Sequence, residues 1–164
     1  MIALIGFMGS GKTTLAKVLG AHLNLPVYEV DQLVFKIAHT SSMTTIFERG
    51  GEMYLRELEQ QALSELTEMD DGIIDCGGGL VTFEPSLELL QKFSSKIILL
   101  RVPFELAQSR VGDDVTRPLF QDEAEAKQLY ESRIKLYESV ATDTVEVHGQ
   151  SVEELITEIE ELLS

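Results

Sequence analysis

Residues 6–13 read GFMGSGKT and follow directly on a short apolar run, MIALI. Gly6-x-x-x-x-Gly11-Lys12-Thr13 is the complete phosphate-binding loop spacing, set between a predicted strand and a predicted helix as its mechanism requires. Glycines let the backbone wrap closely, so that consecutive N–H groups point at one phosphate. The helix that starts near Lys12 adds its positive end. Lys12 is placed to reach the β- and γ-phosphates, and the Thr13 hydroxyl to ligate Mg²⁺. The loop therefore predicts a nucleoside triphosphate as ligand, held by Gly9, Ser10, Gly11, Lys12, Thr13 and Thr14.

A phosphate-binding loop also constrains the rest of the fold. Short apolar runs at 1–5, 27–30, 72–75, 96–100 and 144–147 read as five strands. Helical patterns at 12–23, 51–69, 85–93, 103–111 and 123–140 lie between them. The last segment, SVEELITEIEELL, opens on a Ser-x-x-Glu capping box and keeps its apolar residues on one face. Alternating, almost wholly apolar strands and helices predict an α/β fold of three layers, α/β/α, around a parallel sheet. The chain has 164 residues with no composition break or repeat, which predicts one kinase-sized domain over 1–164.

In a parallel sheet, ligands bind beyond the carboxyl ends of the strands. After the second strand come Glu29 and Asp31. Read as extended chain, both carboxylates project from the same side, one toward Mg²⁺ and one toward the proton of an attacking hydroxyl. Equally, Asp31 fits the cap of a following helix. The third strand ends in Asp75-Cys76-Gly77-Gly78-Gly79. A strand-end Asp is the usual Mg²⁺ partner of a phosphate loop, and three glycines let backbone N–H groups approach a ligand. Cys76 reads as a small packed residue, because no histidine lies nearby in sequence to activate it. Arg56, Arg117 and Arg133 stand apart in sequence; as a set they form clamps for a carboxylate or a phosphate.

The net charge is −15, with 13 Lys and Arg in all. This acidity argues against nucleic acid as a partner, since such binding needs a basic face. It also demands that any bound anion find its cations concentrated at one place. One cysteine excludes an internal disulfide and fits a reducing cytoplasm. No apolar run approaches ~18 residues, so no membrane span is expected, and no secretory signal is visible at the N-terminus. No N-K-x-D guanine-recognition motif occurs, which argues against a regulatory nucleotide switch.

Taken together and in order, GFMGSGKT, the Asp31 carboxylate after the second strand, TTIFERGGEMYLRELE, the triple glycine, RPLF and the final R-x-x-x-Y resemble the shikimate kinase family across essentially the whole chain. The resemblance implies a phosphate-loop kinase of the nucleoside-monophosphate-kinase type with a five-stranded parallel sheet. It further implies a substrate-binding helical segment at 31–58, a lid at 112–121, ATP and Mg²⁺ as cofactors, and shikimate as acceptor. Carried over, Asp31 binds the substrate hydroxyls and acts as base; Arg56 and Arg133 grip the carboxylate. Gly77, Gly78, Gly79 and Phe47 line that pocket. Lys12 and Arg117 stabilise the transferring phosphoryl group, and Arg110 packs at the adenine. Mg²⁺ falls to Thr13, Glu29 and Asp75, and a monomer is expected.

Four positions depart from the family pattern: Glu29 stands where Asp is usual, Asp75 where a strand-end carboxylate is often lacking, Leu55 where Phe is frequent, and Cys76 for a small hydroxyl or aliphatic residue. Another metabolite kinase on the same fold, acting on gluconate or on a nucleotide, is the nearest rival. Gluconate is also a hydroxylated carboxylate, but the TTIFERGGEMYLRELE helix and the triple glycine favour shikimate.

Overall fold

In the computed structural model, which describes residues 1–111 and 123–164, the apolar runs form one five-stranded parallel sheet. Its strands are β1 (Ile2–Ile5), β2 (Val27–Glu29), β3 (Ile73–Asp75), β4 (Lys96–Arg101) and β5 (Asp143–Glu146), in spatial order β2-β3-β1-β4-β5. All of β1 and β3 is buried, as strands covered on both faces must be. Register aligns Leu4 and Glu29 with Asp75, so the carboxyl ends of β1, β2 and β3 finish level.

The seven described helices are α1 (Lys12–Leu23), α2 (Val30–Ala38), α3 (Met43–Leu66), α4 (Glu84–Phe93), α5 (Phe104–Val111), α6 (Glu123–Val140) and α7 (Val152–Leu163). A 3₁₀ turn, Leu80–Thr82, follows the triple glycine. Right-handed crossovers dictate the layers. From β1 to β2 the chain moves one way along the sheet; from β2 to β3, β3 to β4 and β4 to β5 it moves the other way. Helix α1 thus covers one face, while α3, α4 and α6 cover the opposite one. The packing agrees: α1 lies against α7, and α3 against α4.

Two boundary differences bear on the site, while several other element ends shift by one to three residues from the sequence reading. The second strand stops at Glu29, and Val30 opens a helix instead of closing the strand. Val30 is β-branched and apolar, yet as the first helical residue it packs fully buried. The third helix begins at Met43, not at residue 51, with Ser42 capping it by accepting from the Thr45 N–H. Its pattern hid this start because Gly50 and Gly51 interrupt it. Gly51 sits at φ 66°, ψ −160°, a region an L side chain rarely enters, and there the helix breaks into two arms. Arg49 on the first arm donates to the Ala38 carbonyl at 2.6 Å, tying that arm to the end of α2.

At the sheet edge, Lys96 pairs with Asp143 at 2.9 Å and joins β4 to β5. Lys96 and the Thr142 hydroxyl hold the Asp143 carboxyl below its usual 3.8. A depressed carboxyl contributes stability above its unfolded pKa and loses it as pH falls through the folded value. Asp143→Asn is therefore expected to lower Tm by ~1–2 °C at pH 7, the scale of a pair worth about 0.5 kcal/mol. In thermal melts the difference from the unsubstituted protein should close in acid; a gap that persists at low pH contradicts this assignment.

Candidate active site

Two adjoining cavities open beyond the carboxyl ends of the strands. The first, of about 270 Å³, is lined by Met8, Gly9, Gly11, Lys12, Thr13, Thr14 and Arg110. Its floor is the phosphate-binding loop running into α1. Helices α3 and α7 begin with serine side chains that cap their first turns. Helix α1 begins at Gly11, which has no side chain to do so. Its first N–H groups thus point, uncapped by a side chain, where an anion is most favoured. Lys12 Nζ folds over the loop, donating to the Gly6 carbonyl at 2.8 Å and the Phe7 carbonyl at 3.2 Å. Arg110, from α5, donates to the Gly9 carbonyl at 3.2 Å and walls the far side.

The second cavity, of about 210 Å³, shares Met8, Lys12 and Thr13 with the first. Glu29, Asp31, Phe35, Asp75, Gly77 and Gly78 are among its lining residues. Asp31 is not the cap of α2: that position is Glu29, and Asp31 lies in the first helical turn. Nor do Glu29 and Asp31 share one side of an extended segment, since the chain turns helical between them. Both nonetheless line the same cavity, at the start of α2, where the helix dipole favours negative charge.

The Thr13 hydroxyl donates to Asp75 Oδ2 at 2.5 Å, which leaves the lone pairs of its oxygen as acceptors or ligands. Burial raises the Asp75 pKa, partly offset by Thr13 and Lys12. Glu29 pairs with Lys17 at 3.0 Å. Burial also pushes the Cys76 thiol well up, so the residue is the inert packed group its sequence context predicts.

Past the triple glycine lies a cluster of charges. Arg56 is 8% exposed and binds Glu59 at 2.6 Å and Glu52 at 2.7 Å. Burial works against its charge, but the two carboxylates outweigh it, and the guanidinium pKa rises. Burial likewise raises Glu59, against the pull of Arg56. Gly79 explains itself here: a Cβ at that position would meet Arg56 Nη2 at 1.9 Å. The R-x-x-x-Y motif also acquires a reason. One helical turn apart on α6, Arg133 and Tyr137 both donate to the Gly78 carbonyl, Arg133 at 2.8 Å. The glycine loop is thereby held against α6.

Of the residues expected from sequence, the structure gathers Gly9, Gly11, Lys12, Thr13, Thr14 and Arg110 at one cavity and Glu29, Asp31, Asp75, Gly77 and Gly78 at the other. Ser10 is buried in the loop between. Phe47 is 46% exposed and lines neither cavity; the aromatic on the wall is Phe35, one helical turn beyond Asp31 on α2. Arg117 and the 112–121 lid lie outside the described residues. Glu52 and Glu59 lie within the TTIFERGGEMYLRELE segment and Tyr137 closes R-x-x-x-Y, but the partners that give these three side chains their roles appear only in three dimensions.

Known proteins match this arrangement over its full length. A curated shikimate kinase of Dehalococcoides mccartyi is 36% identical, with 99% of this chain and 92% of that protein covered. One of Aquifex aeolicus is 38% identical, covering 96% of this chain and 92% of the other. Among solved structures, a shikimate kinase from Acinetobacter baumannii in complex with shikimate superposes with TM-score 0.91 at 32% identity, over 99% of this chain and 91% of that one. A deoxyadenosine kinase of M. mycoides, with TM-score 0.65 and 17% identity over 99% and 98% of the two chains, shares the fold alone. The shikimate kinase family model matches residues 8–164, so the span from the phosphate-binding loop to the closing helix carries the family's signature, and the chain belongs to the shikimate kinase family.

Proposed function

We propose that this chain transfers the γ-phosphoryl group of ATP to the 3-hydroxyl of shikimate, giving shikimate 3-phosphate on the route to aromatic amino acids. The observation that carries this reading is the meeting of two cavities at Lys12 and Thr13, one floored by phosphate-binding backbone and the other walled by Asp31 and glycines. Gly9 to Thr14 hold the ATP phosphates, and Arg110 lies beside the nucleotide. In the second cavity Asp31 accepts the proton of the 3-hydroxyl as its oxygen bonds to the γ-phosphorus. The bond to the ADP bridging oxygen breaks, and Lys12 balances the charge spread over the moving group. Arg56 and Arg133 receive the shikimate carboxylate. Arg56 Nε supports this assignment: it is buried and has no hydrogen-bond partner among the described residues.

A Mg²⁺ ion fits the donor set of Thr13, Asp75 and Glu29, which is all oxygen, as a hard cation prefers. No group of three or more His, Cys, Asp or Glu is poised for a metal among the described residues. Mg²⁺ held by one or two carboxylates plus substrate phosphates needs no such group. When bound it neutralises phosphate charge. Because Asp75 is held by Thr13 whereas Glu29 is engaged by Lys17, Asp75→Asn should raise the Mg²⁺ concentration for half-maximal rate more than Glu29→Gln does. A Mg²⁺ titration of the two variants giving the reverse order contradicts this.

A monomer is the proposed active unit, since the sequence leaves no long apolar stripe outside the core. The buried cysteine is compatible with a cytoplasmic location. Among the described residues, no helix is long and apolar enough to cross a membrane. Incubation with ATP, Mg²⁺ and shikimate, followed by ³¹P resonance, should show a new phosphomonoester formed in step with ADP. ADP formed with inorganic phosphate alone would contradict the reading.

A further inference from the structure

The two arginines assigned to the substrate carboxylate already hold a carboxylate of the protein's own. Glu52 Oε1 lies 2.7 Å from Arg56 Nη2 and 4.0 Å from Arg133 Nη2, so one oxygen faces both guanidinium groups. Glu59 grips Arg56 too, but the two acids are unlike. The Glu59 side chain is 3% exposed and the Glu52 side chain 59%. Separating a buried carboxylate from a buried guanidinium leaves an uncompensated charge and is strongly unfavourable. An exposed carboxylate at the rim turns into water at little cost. Glu59 is thus a fixed member of the cluster and Glu52 an exchangeable one.

We propose that Glu52 occupies the substrate-carboxylate position in the empty protein, and that any incoming anion must displace it. This rests on the shikimate reading above. With Glu52 and Glu59 both in place, Arg56 and Arg133 are matched charge for charge. A further anion entering beside them would be an unpaired negative group. When Glu52 swings out, the pair regains one positive charge and accepts one carboxylate in exchange. Because Glu52 is tethered, it competes at high effective concentration. A small anion that offers only charge loses that competition. Shikimate offers in addition hydroxyl groups for Asp31, which lines the second cavity, and wins it. The displaced side chain keeps a favourable setting, because it starts the second arm of α3 just after the Gly50–Gly51 break, at the helix end that favours negative charge. Glu52 is on this account a specificity-determining residue that never touches the reacting atoms.

The test is a titration of the unsubstituted protein, Glu52→Gln and Glu52→Asp with shikimate and, separately, with acetate. Shikimate binding is read by calorimetry and initial rates, acetate binding by the ¹⁵N resonances of the arginine side chains. Glu52→Gln is expected to bind shikimate about three- to tenfold tighter, with KM for shikimate lowered in proportion and KM for ATP unmoved. Acetate should perturb the Arg56 and Arg133 signals of Glu52→Gln at concentrations that leave the unsubstituted protein silent. Glu52→Asp keeps the charge at the helix start but is one methylene shorter, and should behave like Glu52→Gln. Equal or weaker shikimate binding by Glu52→Gln overturns the proposal, since Glu52 would then shape the arginines instead of blocking them. So does a Glu52→Asp protein indistinguishable from the unsubstituted one, which would mean that only the field of the charge matters. If the unsubstituted protein binds no shikimate, the functional reading fails by itself. The acetate titration then decides on Glu52: a gain in Glu52→Gln sustains the proposal, and no gain overturns it.

Discussion

Asp31→Asn is expected to lower kcat by ~10²–10⁴-fold while leaving ATP binding close to that of the unsubstituted protein. Asparagine has the same shape and still accepts a hydrogen bond from a substrate hydroxyl, but it cannot take the proton. Asp31 stands in the first turn of α2 and lines the acceptor cavity, not the cavity floored by the loop. Its loss should therefore separate chemistry from nucleotide binding. Fluorescence titration with a labelled ADP, set beside steady-state rates, measures both. A fall in nucleotide affinity as large as the fall in rate would place Asp31 in the nucleotide site and contradict its role as base.

Gly79→Ala is the second substitution with a large expected effect, and it acts through Arg56. The added Cβ would lie 1.9 Å from Nη2 and 2.4 Å from Cζ, so it collides with the whole guanidinium and not only with a flexible tip. Arg56 has little room to yield, because buried Glu59 holds it at 2.6 Å. A displacement of about 1 Å in a group that orients substrate costs on the order of 10²-fold in kcat/KM. We expect that loss for shikimate, with KM for ATP unmoved and stability reduced by about 1–3 kcal/mol, as overpacking does. Kinetics at saturating ATP together with urea unfolding distinguish the two effects. Unaltered kcat/KM for shikimate would show that Arg56 does not need its present position.

The residues legible in the sequence are those whose neighbours in the chain are also their partners in space. The phosphate-binding loop needs only a strand before it and a helix after it, and α1 begins and ends where its pattern predicts, at Lys12 and Leu23. The closing helix announces its start through Ser151 and Glu154, two residues that satisfy one another. Where tertiary packing decides, the sequence is silent or misleading. Alternation made Glu29 and Asp31 look like one face of a strand, but the chain enters a helix between them and packs Val30 into the core. Two adjacent glycines concealed that α3 continues on both sides of a break. Glu52 and Glu59 are ordinary acids in a helix until the fold brings the triple glycine and α6 beside them. The aromatic on the cavity wall is Phe35, on α2, whereas Phe47, on the first arm of α3, is 46% exposed.

The central claim is that the acceptor cavity is matched to a hydroxylated carboxylate of shikimate's shape. Its most direct test is Mg²⁺-dependent ATP consumption measured with shikimate, gluconate, a panel of nucleoside monophosphates, and no acceptor. The account predicts strong stimulation by shikimate alone, with the other acceptors at the level of the blank. Turnover indifferent to acceptor, or greater with gluconate or a nucleotide, would contradict it.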